Sequence, residues 1–434
     1  MKFYNREKEL KNLHDIEQAS KTSAKMSIIV GRRRIGKTAL IKEAYPQKLY
    51  LFVSKKNEAL LCEEFTNRIE EELGVKILGK MRRFSELFEY LMALSTQKPF
   101  TLIIDEFQEF LSINKSLYSD MQNIWDSYKD RSQMNLVLSG SIYSLMKRIF
   151  EDRKEPLFGR ANNKIVLKAF SVETLREILA DYAPAFTPDD LLSFYMLTGG
   201  VAKYVEIFVD AGAFTLEKQL DLIFDDYSLF LEEGKNLLVE EFGKEYTTYF
   251  SILSLIASSK TSRTQIESIL ERNVGGYLEK LENEYRIIKK IKPIFAKEGS
   301  RTVKYEIIDN FFHFWFRFIY KYKSAIEIEN YTYVKEIVKR DYETYSGIFL
   351  ERYFREKLRL SRAYSDIGNY WERGNQNEID IVAVNDEQKQ ILIAEVKRNP
   401  KKINLHTVEQ KATKLLAKYP KYSVVYRGFS LEEM

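Results

Sequence analysis

Short, nearly continuous apolar runs recur through the first 170 residues: Ser27–Val30, Leu49–Ser54, Thr101–Asp105, Leu136–Ser139 and Ile165–Leu167. Such runs predict strands buried on both faces, as in a parallel sheet covered by helices. Between them lie stretches with helical spacing, among them Glu58–Leu73 and Phe84–Ser95. The alternation predicts a βαβ sandwich over residues 1–170.

Beyond residue 170 the pattern changes. Residues 171–235 read as all-helical. Thr187-Pro188-Asp189-Asp190 supplies an N-cap, a first-turn proline and two acids, and Gly199-Gly200 ends that helix. Residues 236–325 read as helix, helix, helix, hairpin: Tyr249–Ala257, a helix opened by the capping box Ser262-Arg263-Thr264-Gln265, Val274–Asn283, then strands Arg286–Ile291 and Thr302–Ile308. This is the order of a winged helix-turn-helix. The polar stretch Glu327–Thr332 marks a boundary before residues 330–434. There, two alternating strands, 378–384 and 391–397, flank a polar loop and predict an antiparallel hairpin.

Composition narrows the chemistry. One cysteine (Cys62) among 434 residues excludes a disulfide framework or a cysteine zinc cluster. Three scattered histidines (His14, His313, His406) make a histidine metal site a poor expectation. Carboxylates, lysines, hydroxyls and backbone must do the work. The N-terminus lacks a signal-peptide core, and no long uncharged apolar stretch appears. A cytoplasmic setting without a membrane partner is expected. The net charge is +5, but residues 236–325 carry 15 basic and 11 acidic side chains, and residues 330–434 carry 19 and 15. Within 286–304 seven basic residues meet one acid, Glu298. That stripe suits a polyanion partner for the C-terminal half or a solvated surface hairpin, and charge alone favours the hairpin.

Gly31-Arg32-Arg33-Arg34-Ile35-Gly36-Lys37-Thr38 fits GxxxxGK[ST] between an apolar strand and a helical stretch. The backbone of such a loop wraps phosphates at a helix N-terminus. Residues Gly31 to Thr38, with Ala39, are the expected ATP contacts; Lys37 reaches the β/γ-phosphates and Thr38 binds Mg²⁺. A second apolar strand ends in Asp105-Glu106. Asp105 is expected to hold the Mg²⁺ through water, and Glu106 to polarise the attacking water. Residues 1–235 resemble the AAA-like P-loop ATPases of the archaeal type, related to signal-transducing ATPases with numerous domains. The matching pieces are Phe3-Tyr-Asn-Arg6-Glu7, the loop at 31–38, Asp105-Glu106, Leu138-Ser139-Gly140-Ser141, Leu157-Phe-Gly159-Arg160 and Leu197-Thr-Gly199-Gly200. The resemblance implies Arg6 and Glu7 near the adenine, Ser141 as γ-phosphate sensor, Arg160 as a finger or nucleotide sensor, and residues 171–235 as a helical lid. Ser141 stands where related enzymes commonly carry Asn. It equally suits a helix N-cap.

If Val384 pairs with Ile391 across the C-terminal loop, Asp380 falls opposite Glu395, with Lys397 on the same face. Two opposed carboxylates favour a cation between them, and Glu351 on the helical stretch Gly347–Leu358 is a third candidate acid. The alternative is a structural ion-pair hairpin with Lys397 facing Glu378. The constellation resembles the PD-(D/E)xK nuclease superfamily. Carried over, Glu351, Asp380 and Glu395 are metal ligands and Lys397 orients or deprotonates a water. Gln410 sits where some members carry an auxiliary polar residue; Ile379 stands where their proline would be. In a winged helix, Val274–Glu284 would approach a groove, although it carries Glu279, Glu282 and Glu284. Lys289, Lys290, Lys292, Lys297, Arg301 and Lys304 would meet phosphates. The expected fold is α/β: a P-loop NTPase parallel-sheet sandwich with helical lid, then a winged helix, then a restriction-endonuclease-like domain. The expected function is an ATP-hydrolysing, Mg²⁺-dependent DNA-binding protein with nuclease potential. The alternative is a signalling or defence switch whose C-terminal domain binds without cutting. An arginine supplied in trans would imply a homo-oligomer.

Overall fold

The computed structural model describes every residue of the chain except 298 and 301. Arg301, expected among the phosphate-binding cations, and the lone acid Glu298 therefore lie outside the described residues. The chain divides into two compact units, residues 5–168 and residues 1–4 with 169–434.

In the first unit five parallel strands, β1 (Lys25–Val30), β2 (Leu49–Phe52), β3 (Phe100–Asp105), β4 (Met134–Gly140) and β5 (Asn163–Val166), stand in the order β2-β3-β4-β1-β5. All seven residues of β4 are buried, as the continuous apolar run demands of a central strand. Met26, Ile28 and Val30 face one apolar core with helices Glu58–Leu73, Phe84–Leu94, Leu117–Tyr128 and Tyr143–Glu151. Helix Glu7–Ser20 also packs on β1 and β4.

The second unit begins with helices. Pro188–Thr198 has the expected Thr187 capping box and ends at Gly199, whose φ of 56° suits glycine. Helices Tyr246–Ala257, Arg263–Leu270 and Gly275–Asn283 precede an antiparallel pair, β6 (Ile288–Ile291) and β7 (Lys304–Ile307). The aromatic run that follows is core: Phe311, Phe312, Phe314, Trp315, Phe316 and Phe318 are all buried. The polar stretch 327–332 leads into one 31-residue helix, Tyr331–Ser361, which Asn330 caps through the Tyr333 N–H. Strands β8 (Asp366–Tyr370), β9 (Ile379–Asn385), β10 (Gln390–Lys397) and β11 (Ser423–Ser430) form a sheet in the order β11-β10-β9-β8. Among the described residues no helix is long and apolar enough to cross a membrane.

Arg352 ties the long helix to its surroundings. It is buried, pairs with Glu306 of β7, and donates to Asn310 Oδ1 at 2.7 Å and to the Ile307 carbonyl at 2.8 Å. Burial alone would raise the Glu306 carboxyl; Arg352, Lys289 and Arg355 outweigh it and hold it at about 2. Removing one partner of a buried pair strands the other's charge. Arg352→Met should therefore cost about 3–5 kcal/mol in urea unfolding, with Glu306→Met recovering much of it in the double variant. A loss below about 1 kcal/mol would show the pair to be dispensable.

His313 is buried with its Nδ1 2.8 Å from the Tyr345 hydroxyl. Burial, reinforced by the charge of Arg352, pushes its imidazole down to about 3. The unfolded chain takes up this proton near pH 6.5 and the native state does not. Stability is thus lost as pH falls from about 6.5 towards 3, by up to about 1.4 kcal/mol per pH unit. Thermal unfolding of wild type should fall more steeply across this window than that of His313→Gln; parallel profiles would contradict the assignment.

Candidate nucleotide and carboxylate sites

The phosphate loop leaves the C-terminal end of β1 and enters helix Lys37–Ala44 through Gly36. Gly36 has φ 97° and Arg34 φ 68°, the left-handed turns that curl backbone N–H groups inward. A Cβ at Gly31 would lie 3.0 Å from Ile35 Cγ2 and 3.1 Å from the Leu167 carbonyl, so only glycine fits without a shift. Gly36 offers no side-chain cap, which leaves the first-turn N–H groups open to an anion. Lys37 is buried and folds onto its own loop, donating to the Gly31 carbonyl at 2.7 Å and the Arg32 carbonyl at 3.2 Å. Burial lowers its ammonium, against the pull of Glu106 and Asp105. Thr38 and Ala39 are exposed on the first turn.

The acids stand at the end of β3. Asp105 is buried and bonds the Tyr50 hydroxyl, which the Thr38 hydroxyl also influences. One phenol thus spans the two groups expected to share Mg²⁺, a hard-oxygen donor set that suits that ion. Glu106 has φ 53°. Its Oε2 accepts from Ser141 Oγ at 2.6 Å and Gln108 Nε2 at 2.5 Å. Ser141 therefore reaches the acid from the end of β4. Gln108 was not read as functional in the sequence; it is buried, with its Oε1 unpartnered. No motif carries it, since its role depends on the turn after β3.

Arg6 is buried at the start of helix Glu7–Ser20, donating to the Lys168 carbonyl at 2.7 Å and standing 3.7 Å from Glu9. Glu7 is exposed on that first turn. Arg160 is not beside the loop. It precedes β5, at the N-terminal edge of a parallel sheet whose loop leaves the C-terminal edge. There it grips Asp126 Oδ2 at 2.7 Å and the Pro156 carbonyl at 2.6 Å. Arg160, expected as a finger or nucleotide sensor, therefore stands away from its own chain's loop.

In the C-terminal sheet Val384 pairs with Ile391, and the ladder runs to Ile381–Ala394. The next rung would join Asp380 to Glu395. Instead Asp380 Oδ2 accepts the Val396 N–H at 2.8 Å, and Glu395 Oε2 accepts the Asn404 N–H at 3.0 Å. Lys397 Nζ stands 3.5 Å from Asp380 Oδ2 and 3.4 Å from Glu395 Oε1. Glu378 turns instead to Lys304, at 2.8 Å, so the Lys397–Glu378 alternative is not what forms. Burial raises the Asp380 carboxyl, offset in part by the Val396 N–H and Lys397. Burial pulls the Lys397 ammonium down, but Asp380 and Glu395 outweigh it and raise it. Glu351, raised to about 8 by burial and then by the charge of Asp380, is near enough to feel that acid. Among the described residues no group of three or more His, Cys, Asp or Glu stands ready to hold a metal. The expected three-carboxylate set is thus not assembled as a cage, because an ammonium already bridges two of its acids. Gln410 is exposed on helix Leu405–Leu416.

Residues 3–208 match the family described as an ATPase domain predominantly from Archaea, and residues 315–412 match one described as archaeal and bacterial proteins of unknown function. An uncharacterized protein of Methanocaldococcus jannaschii is 28% identical over 441 residues, covering 98% of this chain and 95% of that protein. A Walker-type ATPase of Pyrococcus abyssi shares the fold, with TM-score 0.55 and 18% identity over 72% of this chain and 96% of that one. The ORC2 protein of Aeropyrum pernix, in ADPNP and ADP complexes, has TM-score 0.49 and 15% identity over 76% of this chain and 95% of its own. Lys37→Ala should abolish ATP turnover, by at least about 100-fold, since it removes the buried ammonium that the phosphate loop holds at its helix N-terminus; unchanged phosphate release would remove the loop from the reaction. The first half of the chain is thus similar to archaeal ATPase domains, and residues 315–412 are similar to a family of unknown function.

Proposed function

We propose that the chain couples ATP hydrolysis to the handling of nucleic acid, and that its C-terminal sheet cleaves phosphodiesters with Mg²⁺. The observation that carries this reading is the convergence of Asp380 and Glu395 on Lys397 within one hairpin. Carboxylates seldom share a half-buried spot without a cation to offset them, and here the cation is a lysine able to orient water.

At the phosphate loop, Thr38 and Asp105 would hold Mg²⁺, which supplies positive charge against the phosphates. Lys37 leaves the loop carbonyls for the phosphates. Glu106 accepts a proton from the attacking water, held in place by Ser141 and Gln108. Arg160, at the far edge of its own sheet, serves a neighbouring copy, which would make the active form a homo-oligomer. In the C-terminal sheet Asp380, Glu395 and Glu351 would hold the second Mg²⁺, and Lys397 orients the water. The three helices and hairpin from 246 to 307 are read as a winged helix that positions DNA.

A second reading has its own observation. Lys397 already neutralises both acids, as in a sheet that binds without cutting. The chain would then be a nucleotide-dependent switch in signalling or defence. Incubating plasmid with the full-length protein and Mg²⁺ or Mn²⁺, with and without ATP, separates the two. Metal-dependent nicking that falls at least about 100-fold in Asp380→Asn and in Glu395→Gln, with ATP turnover intact, supports cleavage. Absence of nicking across metals and substrates would favour the switch.

A further inference from the structure

We infer that a cleft between β6, helix Tyr331–Ser361 and β8 binds a single strand of nucleic acid, with phosphates on Lys290, Lys292 and Arg359 and a base against Phe295. The inference rests on the nucleic-acid reading above and names its substrate class. Binding in the cleft does not itself require cleavage.

The cleft encloses about 590 Å³ and is lined by six cationic side chains against two acids. Three of the cations are engaged in structure: Lys289 and Arg352 on Glu306, and Arg355 on Asn369. The acid Glu356 is likewise engaged, accepting from the Val172 N–H and the Tyr195 hydroxyl, each at 3.2 Å. Lys290, Lys292 and Arg359 remain exposed and form no ion pair among the described residues, although Arg359 offsets part of the Glu356 charge and the second acid, Asp366, is exposed on β8. They stand on two walls, the lysines from the β6 segment and Arg359 from the long helix. Unspent cations on facing walls are what a chain of phosphates would offset.

The shape selects among polyanions. A duplex is read by an element that protrudes into its groove. A concave cleft of this volume, on the scale of a small-ligand pocket, encloses one backbone and a nucleotide or two. Its wall holds an aromatic ring in an unusual posture. Phe295 has φ 62°, a left-handed conformation that L side chains avoid; its half-buried ring packs against the C-terminal sheet's apolar core, 4.2 Å from the Tyr419 ring, and lines the cleft as well. Such strain collects at ligand clamps. A supported ring in a basic cleft is a stacking platform for a base.

The floor leads to the carboxylates. Asn369 lines the cleft, receives Arg355 on its Oδ1, and donates from Nδ2 to the Asp380 carbonyl at 2.8 Å. A strand in the cleft therefore lies one side chain away from the Asp380 strand.

Fluorescence anisotropy of the full-length protein tests this, with labelled oligothymidine and oligouridine of about 20 nucleotides and a duplex of equal length, in EDTA to prevent cutting. Oligothymidine should bind with a salt dependence of about 0.7 per phosphate contact. The double variant Lys290→Glu, Lys292→Glu should weaken it at least about 10-fold and flatten that slope. Phe295→Ala should weaken it about 5-fold or more at unchanged slope. The charge control Lys244→Glu, exposed elsewhere, should change little. The oligouridine arm decides whether the sugar is read. Binding that ignores Lys290, Lys292 and Phe295, duplex binding alone, or no binding would each overturn the cleft. Tight, cleft-dependent binding with no metal-dependent cleavage would leave the cleft standing and remove the nuclease reading.

Discussion

Arg352 is the residue on which the C-terminal half turns. Its guanidinium pairs with Glu306 on β7 and bonds Asn310 and the Ile307 carbonyl, while Lys289 of β6 shares Glu306 at 3.1 Å. A charge so deeply buried is tolerated because a carboxylate, an amide oxygen and a backbone carbonyl surround it. This network fixes the long helix against the hairpin. Glu351 precedes Arg352 in that helix, and Arg355 and Arg359 follow it by one and two turns. The cleft and the third acid both inherit their positions from one ion pair.

A second tie joins the carboxylate hairpin to the helices that precede it. Arg398, next to Lys397, donates to Asp189 Oδ1 and to Ser346 Oγ, each at 2.8 Å. Tyr342 donates to the same Asp189 oxygen at 2.8 Å and lies beneath the Arg398 guanidinium. Asp189 was legible as a first-turn acid of helix Pro188–Thr198 and does that work. It also anchors the strand end that carries Lys397. This helix and the hairpin belong to the same compact unit, residues 1–4 with 169–434.

Local rules were read well from sequence. The phosphate loop is legible because its chemistry is backbone chemistry, which glycine spacing encodes directly. The assumed Val384–Ile391 register is the one that forms, although β9 and β10 are buried on both faces rather than alternating. Three matters escaped for a common reason: each depends on what lies across the fold. Lys397 chose Asp380 and Glu395 because Lys304, distant in sequence, takes Glu378. Arg160 was expected as a finger or nucleotide sensor, and only strand direction shows that it stands at the other edge of its own sheet. Gln108 follows an acid pair without any pattern of its own, and only the turn after β3 brings it onto Glu106.

If the C-terminal sheet cleaves phosphodiesters as proposed, a divalent cation at Asp380, Glu395 and Glu351 must displace the Lys397 ammonium that now bridges the first two. Mn²⁺ titration of the nucleotide-free, full-length protein, followed by electron paramagnetic resonance, reads this directly and without turnover. One bound ion is expected that survives Thr38→Ala and is lost when Asp380 and Glu395 are both replaced by Ala. No bound ion, or one that persists in the double variant, would contradict it and leave the hairpin as a structural ion pair.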